Sequence, residues 1–151
     1  MFASNAAIPP ELGCESVFTV HEYHDGPRGG VANFHGVPHF YECIFDEKSD
    51  EYSDSYLLVA ISQEAFKAAL ENWQVFLRWR KAFDSGYVGR DTHPALPGDK
   101  TKYEETKRTL DQAVASGRDK AIRVRGEFEA LGDPHLPRDA FMPWQVRWSE
   151  L

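Results

Sequence analysis

The feature that most constrains this chain is the order of its periodicities. β-type patterning fills the first 61 residues, two helical stretches follow, and strand-like alternation returns near the C-terminal end. That order lacks the strand–helix–strand repeat that builds doubly wound parallel sheets. The first strand-like run is VFTVHEYH over 17–24. Asp25 to Gly30 interrupt it and VANFH resumes over 31–35, a hairpin with a loop of about six residues. Gly36 and Pro38 mark a second reversal, and HFYECIFD over 39–46 gives a third strand. After the polar stretch 47–54, Tyr56 to Ile61 run apolar without alternation, as a central strand covered on both faces does.

Ser62 has the chemistry of an N-cap, Glu64 suits the positive end of the helix dipole, and Gly86 is a C-terminal stop. Between them Phe66, Ala69, Leu70, Trp73, Phe76, Leu77 and Phe83 recur at three- and four-residue spacing, which predicts one amphipathic helix. A second helix is predicted from Thr101, whose spacing to Glu104 is that of a capping box, to Gly117. Ile122, Val124, Phe128 and Ala130 then alternate with charged residues, and Trp144, Val146 and Trp148 alternate with Gln145, Arg147 and Ser149. We therefore expect one α+β domain over residues 1–151. Its curled, mostly antiparallel sheet, in the order ββββ-α-α-ββ, is packed by one long and one shorter helix. A partly closed small barrel is the main variant, because Gly36 and Gly126 can supply the bends that closure needs. Residues 1–16 are expected to form an extended segment around Pro9 and Pro10.

Charge narrows the partners. The chain carries a net charge of -7, and its first 61 residues hold only Arg28 and Lys48 as cations. A field of that sign repels phosphate backbones, so nucleic acid is not expected as a partner. Arg78, Trp79, Arg80 and Lys81 interleave cations with an indole, but over a single helical turn, too little for a base-stacking platform. A mean hydropathy of -0.52 with no long apolar run argues against a membrane span. Cys14 and Cys43 are too few for a disulfide framework or a zinc knuckle, and the N-terminus lacks the charged region of a secretory signal, so a cytoplasmic location is expected.

Most local motifs fail on spacing. Asp99 stands where a phosphate loop needs glycine before Lys100. His21, Glu22, Tyr23 and His24 lack one of the two intervening residues of the helical zinc-protease pattern. His35 and His39 on a straight strand would stand about 13 Å apart, too far to share an ion. Asp46, Asp50 and Asp54 recur every fourth residue, without the turn glycine of a calcium loop.

One arrangement survives. If successive elements reverse direction, the connections at 25–30, 47–54, 87–100 and 132–143 emerge at one end of the domain. Three of them hold similar residues: His24, Asp25 and Arg28; Arg90, Asp91 and His93; Asp133, His135 and Arg138. His24, His93 and His135 would then form a candidate site for zinc or another divalent metal, with Asp25, Asp91 or Asp133 as outer partners, and the chain would be a small metal-dependent hydrolase. Arg28, Arg90 and Arg138 would instead receive a small anionic ligand. The leading expectation is a non-catalytic binding or protein-interaction module without a cofactor. The ten Phe, six Tyr and four Trp favour it, with Trp79, Trp144 and Trp148 lining a ligand groove or a homodimer seam.

Overall fold

A computed structural model describes residues 12–151; the Pro9–Pro10 stretch of the expected extended segment lies outside them. Six antiparallel strands form a closed barrel in sequential order, β1 (Glu15–Tyr23), β2 (Pro27–Phe34), β3 (Val37–Asp46), β4 (Glu51–Ala60), β5 (Ile122–Ala130) and β6 (Trp144–Ser149). Helices α1 (Gln63–Asp84) and α2 (Lys100–Gly117) separate β4 from β5. The fold is thus the expected α+β order with the barrel closed.

Alternation divides the apolar residues between two compartments. Ala32, Tyr41, Tyr56, Leu58, Val124 and Val146 form one buried cluster inside the barrel. Val31 and Val59, their neighbours of opposite orientation, join Phe66, Ala69, Leu110 and Val114 of the helices in a second cluster on the outer face. The apolar run of β4 reads this way because Leu58 faces the lumen while Val59 meets the helices. α1 begins as the sequence predicts, with Ser62 Oγ accepting from the Ala65 amide at 3.1 Å.

Three local expectations are corrected. Gly29 and Gly30 belong to β2 rather than to the hairpin loop. A Cβ on Gly30 would stand 2.8 Å from Tyr41 Oη and collide with the Thr19 carbonyl, so glycine lets the strands approach closely here. Residues 51–54 are strand, since the polar stretch reverses already around Asp50, whose φ is 57°. The capping box at Thr101 does not form. A 3-10 turn over Pro97–Asp99 runs straight into α2, and the Asp99 carboxylate is taken by Arg78 Nε at 3.1 Å.

Rings fill the lumen. Tyr41, Tyr56, Phe128 and Trp148 meet at centroid separations of 5.0–6.4 Å, and the two tyrosine hydroxyls donate to the carbonyls of Thr19 (3.0 Å) and Pro27 (2.9 Å). Gly126 pairs with Trp148 across β5 and β6, and a Cβ there would stand 2.5 Å from Trp148 Cζ3 and 2.9 Å from Tyr56 Cδ1. Gly126→Ala should therefore destabilise the fold by about 1–3 kcal/mol, the usual cost of overpacking. Gly98→Ala, with open space around it, should change stability by less than about 0.5 kcal/mol. Urea denaturation of the two variants beside the parent checks the contrast.

Candidate functional site

The connections that carry the predicted site residues do not share one compartment. The β1–β2 turn, the end of β5 and the approach to β6 meet at one mouth of the barrel. Arg28, Arg138 and Trp144 line a pocket of about 330 Å³ there, together with Tyr23, Tyr52 and Tyr56. Asp25 lies on its rim, 91% exposed.

Arg28 is positioned before any ligand arrives. Its Nε donates to the His24 carbonyl at 2.7 Å, Nη2 to the Asp25 carbonyl at 3.2 Å and Nη1 to Cys43 Sγ at 3.6 Å, while the guanidinium lies 4.7 Å from the Tyr52 ring centre. The turn that supplies those carbonyls needs left-handed backbone at Asp25 (φ 54°) and Gly26 (φ 135°). Among the described residues, no carboxylate oxygen lies within 4.0 Å of Arg28 or Arg138. Asp54, also on the pocket wall, is engaged by Arg125 Nε at 3.0 Å.

Burial pushes the Tyr23, Tyr56 and Cys43 acids upward. At Tyr23 the charges of Asp139 and Asp25 add to that rise, and Arg138 and Arg28 oppose it. These groups are protonated at neutral pH, so the mouth presents hydroxyls, rings and two cations beside the carboxylates of Asp25, on the exposed rim, and Asp54, which Arg125 neutralises.

His93 belongs elsewhere. Its ring stands edge-on to Trp79 (4.8 Å) and Phe76 (5.6 Å) of α1, outside the barrel. His24 stays on the exposed turn beside Tyr52, and the exposed His135 lies in a turn whose amide donates to Asp133 Oδ1 at 2.9 Å. Asp91 sits in a 3-10 turn, Arg90–Thr92. Among the described residues, no three His, Cys, Asp or Glu side chains are placed to hold one metal ion. The structure therefore does not assemble His24, His93 and His135, with Asp25, Asp91 and Asp133, into a metal centre.

The remaining candidates also separate. Arg90 lies 5.6 Å over the Phe83 ring, away from the mouth. Trp79 is buried, and its Nε1 donates to Thr92 Oγ1 at 2.8 Å, so it fastens the connection after α1 instead of lining a groove. Trp148 spans the lumen to reach the Asn33 carbonyl at 2.8 Å and borders a depression of about 510 Å³ at the opposite end of the barrel.

Sequence reading missed a second cavity, of about 240 Å³, between the outer face of β1 and the helix pair. Its wall includes His21, Asn72, His93, Tyr103, Lys107 and Asp111. Asn72 was the available signal, a polar residue three positions after Ala69 and four before Phe76 on the apolar stripe. His21 is half-buried, yet its Nε2 is sealed from water and has no hydrogen-bond partner among the described residues. Desolvation lowers its pKa to about 4, with Asp111 opposing and Lys107 assisting.

This depressed pKa has a definite sign for stability. The unfolded chain, with a histidine pKa of about 6.5, binds the proton more tightly than the native state does, so stability is whole above pH 6.5 and lost as pH falls toward 4. Between pH 7 and pH 5 the loss from His21 should be about 2 kcal/mol. His21→Phe should flatten that part of the profile, as read by urea titrations at both pH values; an unchanged slope in the variant would assign the loss to other groups. Comparison with family models, curated proteins and solved structures finds no match to this chain.

Proposed function

We propose that this protein is a non-catalytic binding module whose barrel mouth takes a small ligand by an anionic group, a carboxylate or a phosphate, held between Arg28 and Arg138. One observation carries the reading: two guanidiniums without a carboxylate partner share a pocket wall with aromatic rings, and one of them is held in place by backbone carbonyls. A planar guanidinium donates two parallel hydrogen bonds to such an anion, and the pocket volume falls in the range of small-molecule sites. Tyr23, Tyr52 and Trp144 would cover the apolar body of the ligand.

A concave site favours a small molecule over a protein partner or a second copy of the chain, which would need a broad face. Protonated tyrosines and a raised thiol favour binding over proton transfer. The cations of the Arg78–Lys81 turn are largely engaged, Arg78 with Asp99 and Arg80 with Asp84, which speaks against a nucleic-acid surface. No helix among the described residues is long and apolar enough to cross a membrane, and the exposed face of β5 carries Arg123, Arg125, Glu127 and Glu129, a pattern unsuited to lipid. Free Cys14 and Cys43 support a cytoplasmic setting.

Titration with benzoate and with phenyl phosphate, followed by tryptophan fluorescence, tests the reading. At least one should bind saturably, and Arg138→Gln, at an exposed position, should weaken that binding by about 10- to 100-fold, the worth of a charge-assisted contact. Equal affinity in parent and variant, or no saturable response to either anion, would overturn it.

A further inference from the structure

Beyond the barrel mouth, we infer that the cavity between β1 and the helix pair is a separate binding site for an uncharged aromatic molecule of one or two rings that carries a hydrogen-bonding N–H or O–H. Four observations converge on that chemistry, and none depends on what the mouth binds.

The first is size. At about 240 Å³, the space exceeds the roughly 150 Å³ of an apolar cavity that accepts benzene. The second is shape and lining. Phe76 forms part of the wall, and the His93 ring beside it is fixed at 89° to Phe76, so a flat molecule would meet ring faces and edges already set in position. The third is charge. Lys107 Nζ donates to Asp111 Oδ2 at 2.7 Å, and that ion pair cancels on the cavity wall. Both ions stand more than half exposed, so a charged ligand would have to leave this wetted rim for the buried part of the wall, around Asn72 and His21, where no counter-ion waits for it.

The fourth is the set of unused polar atoms. Asn72 donates both amide hydrogens, to the Tyr103 carbonyl at 3.1 Å and to Thr106 Oγ1 at 3.2 Å, which leaves Oδ1 as an acceptor. His21 Nε2 is buried and unpartnered, and desolvation keeps the imidazole neutral at pH 7. An apolar occupant would leave Asn72 Oδ1 unsatisfied, whereas a phenolic O–H or an azole N–H donates to it; His21 Nε2, sealed in this conformation, is reached once the imidazole turns toward the occupant.

The test uses the whole chain with phenol, indole and benzoate as probes, and reads the His21 imidazole and Trp73 indole resonances by NMR. Trp73 reports because its ring lies 5.7 Å from His21 at 84°. Phenol or indole should shift both resonances saturably at pH 7, and benzoate should leave them in place. His21→Phe, which keeps the ring and removes the nitrogen, should weaken the phenol or indole response at Trp73 by tenfold or more. Arg138→Gln should leave that response intact, so a failure at the mouth and a failure here are read separately. The inference is overturned if neither neutral probe shifts the His21 and Trp73 resonances of the parent protein, or if benzoate shifts them as strongly.

Discussion

A barrel has no edge only if its first and last strands meet, and among the described residues they meet over Glu15 and Ser16 alone, paired with Val146 and Gln145. So short a seam cannot hold by ladder hydrogen bonds, and the surrounding contacts explain why it does. Trp148 of β6 crosses the lumen to the Asn33 carbonyl on β2. Glu15 accepts from the amides of His35 and Gly36, both at 2.7 Å, so the same residue that closes the barrel also fixes the tip of the β2–β3 hairpin. That hairpin needs left-handed backbone at both central residues, with φ of 52° at His35 and 75° at Gly36, and its orphan amides find their acceptor in a carboxylate from the first strand.

Past Ser16, β1 parts from β6, and the gap is filled by side chains. Phe141, from the connection before β6, stacks on Trp73 of α1 at 5.9 Å and 13°, and Arg80 lies 4.2 Å over the same ring. Tyr23 and Trp144 approach at 6.1 Å across the gap. The separation of strands that weakens the seam thus also makes the mouth pocket, because paired strands would leave no room for a connection carrying Arg138 and an indole on the wall. The proposed binding site thus sits where the sheet stops pairing, which accords with the general placement of small-molecule sites at the mouths of barrels.

Much of the fold is legible in the sequence, because period-2 alternation in β5 and β6 and the three–four spacing of α1 are each dictated by one buried face. Gly29 and Gly30 mislead because turn chemistry and close strand approach call for the same residue, and only the position of Tyr41 on the neighbouring strand tells them apart. Trp79 misleads for a similar reason, since an indole flanked by arginines reads as surface until Thr92, thirteen residues on, folds back to receive its N–H. The meeting of Arg28 and Arg138 on one pocket wall follows from strand reversal, so that much could be read from topology, whereas nothing in the reversal argument puts Trp144 beside them. His21 and Asn72 could not be joined on paper: they lie on different elements, and their proximity depends on where α1 crosses the outer face of β1.

His93 shows why the end of a domain is too coarse an address for a site. Its connection follows a helix of 22 residues, about 33 Å at 1.5 Å per residue, which lies outside the barrel wall, so the residues after it inherit the helical side. The Trp79 and Phe76 rings then hold the imidazole against α1, while Phe76 also touches Phe141 at 5.4 Å. One phenyl ring therefore stands between the two compartments, with the neutral cavity on one side and the connection that carries Arg138 on the other. The distribution of charge follows from solvation: the guanidiniums and the Lys107–Asp111 pair lie where water reaches them, and the uncharged imidazole and amide of His21 and Asn72 lie in the buried part of the second cavity, where an unpaired ion would cost too much to bury.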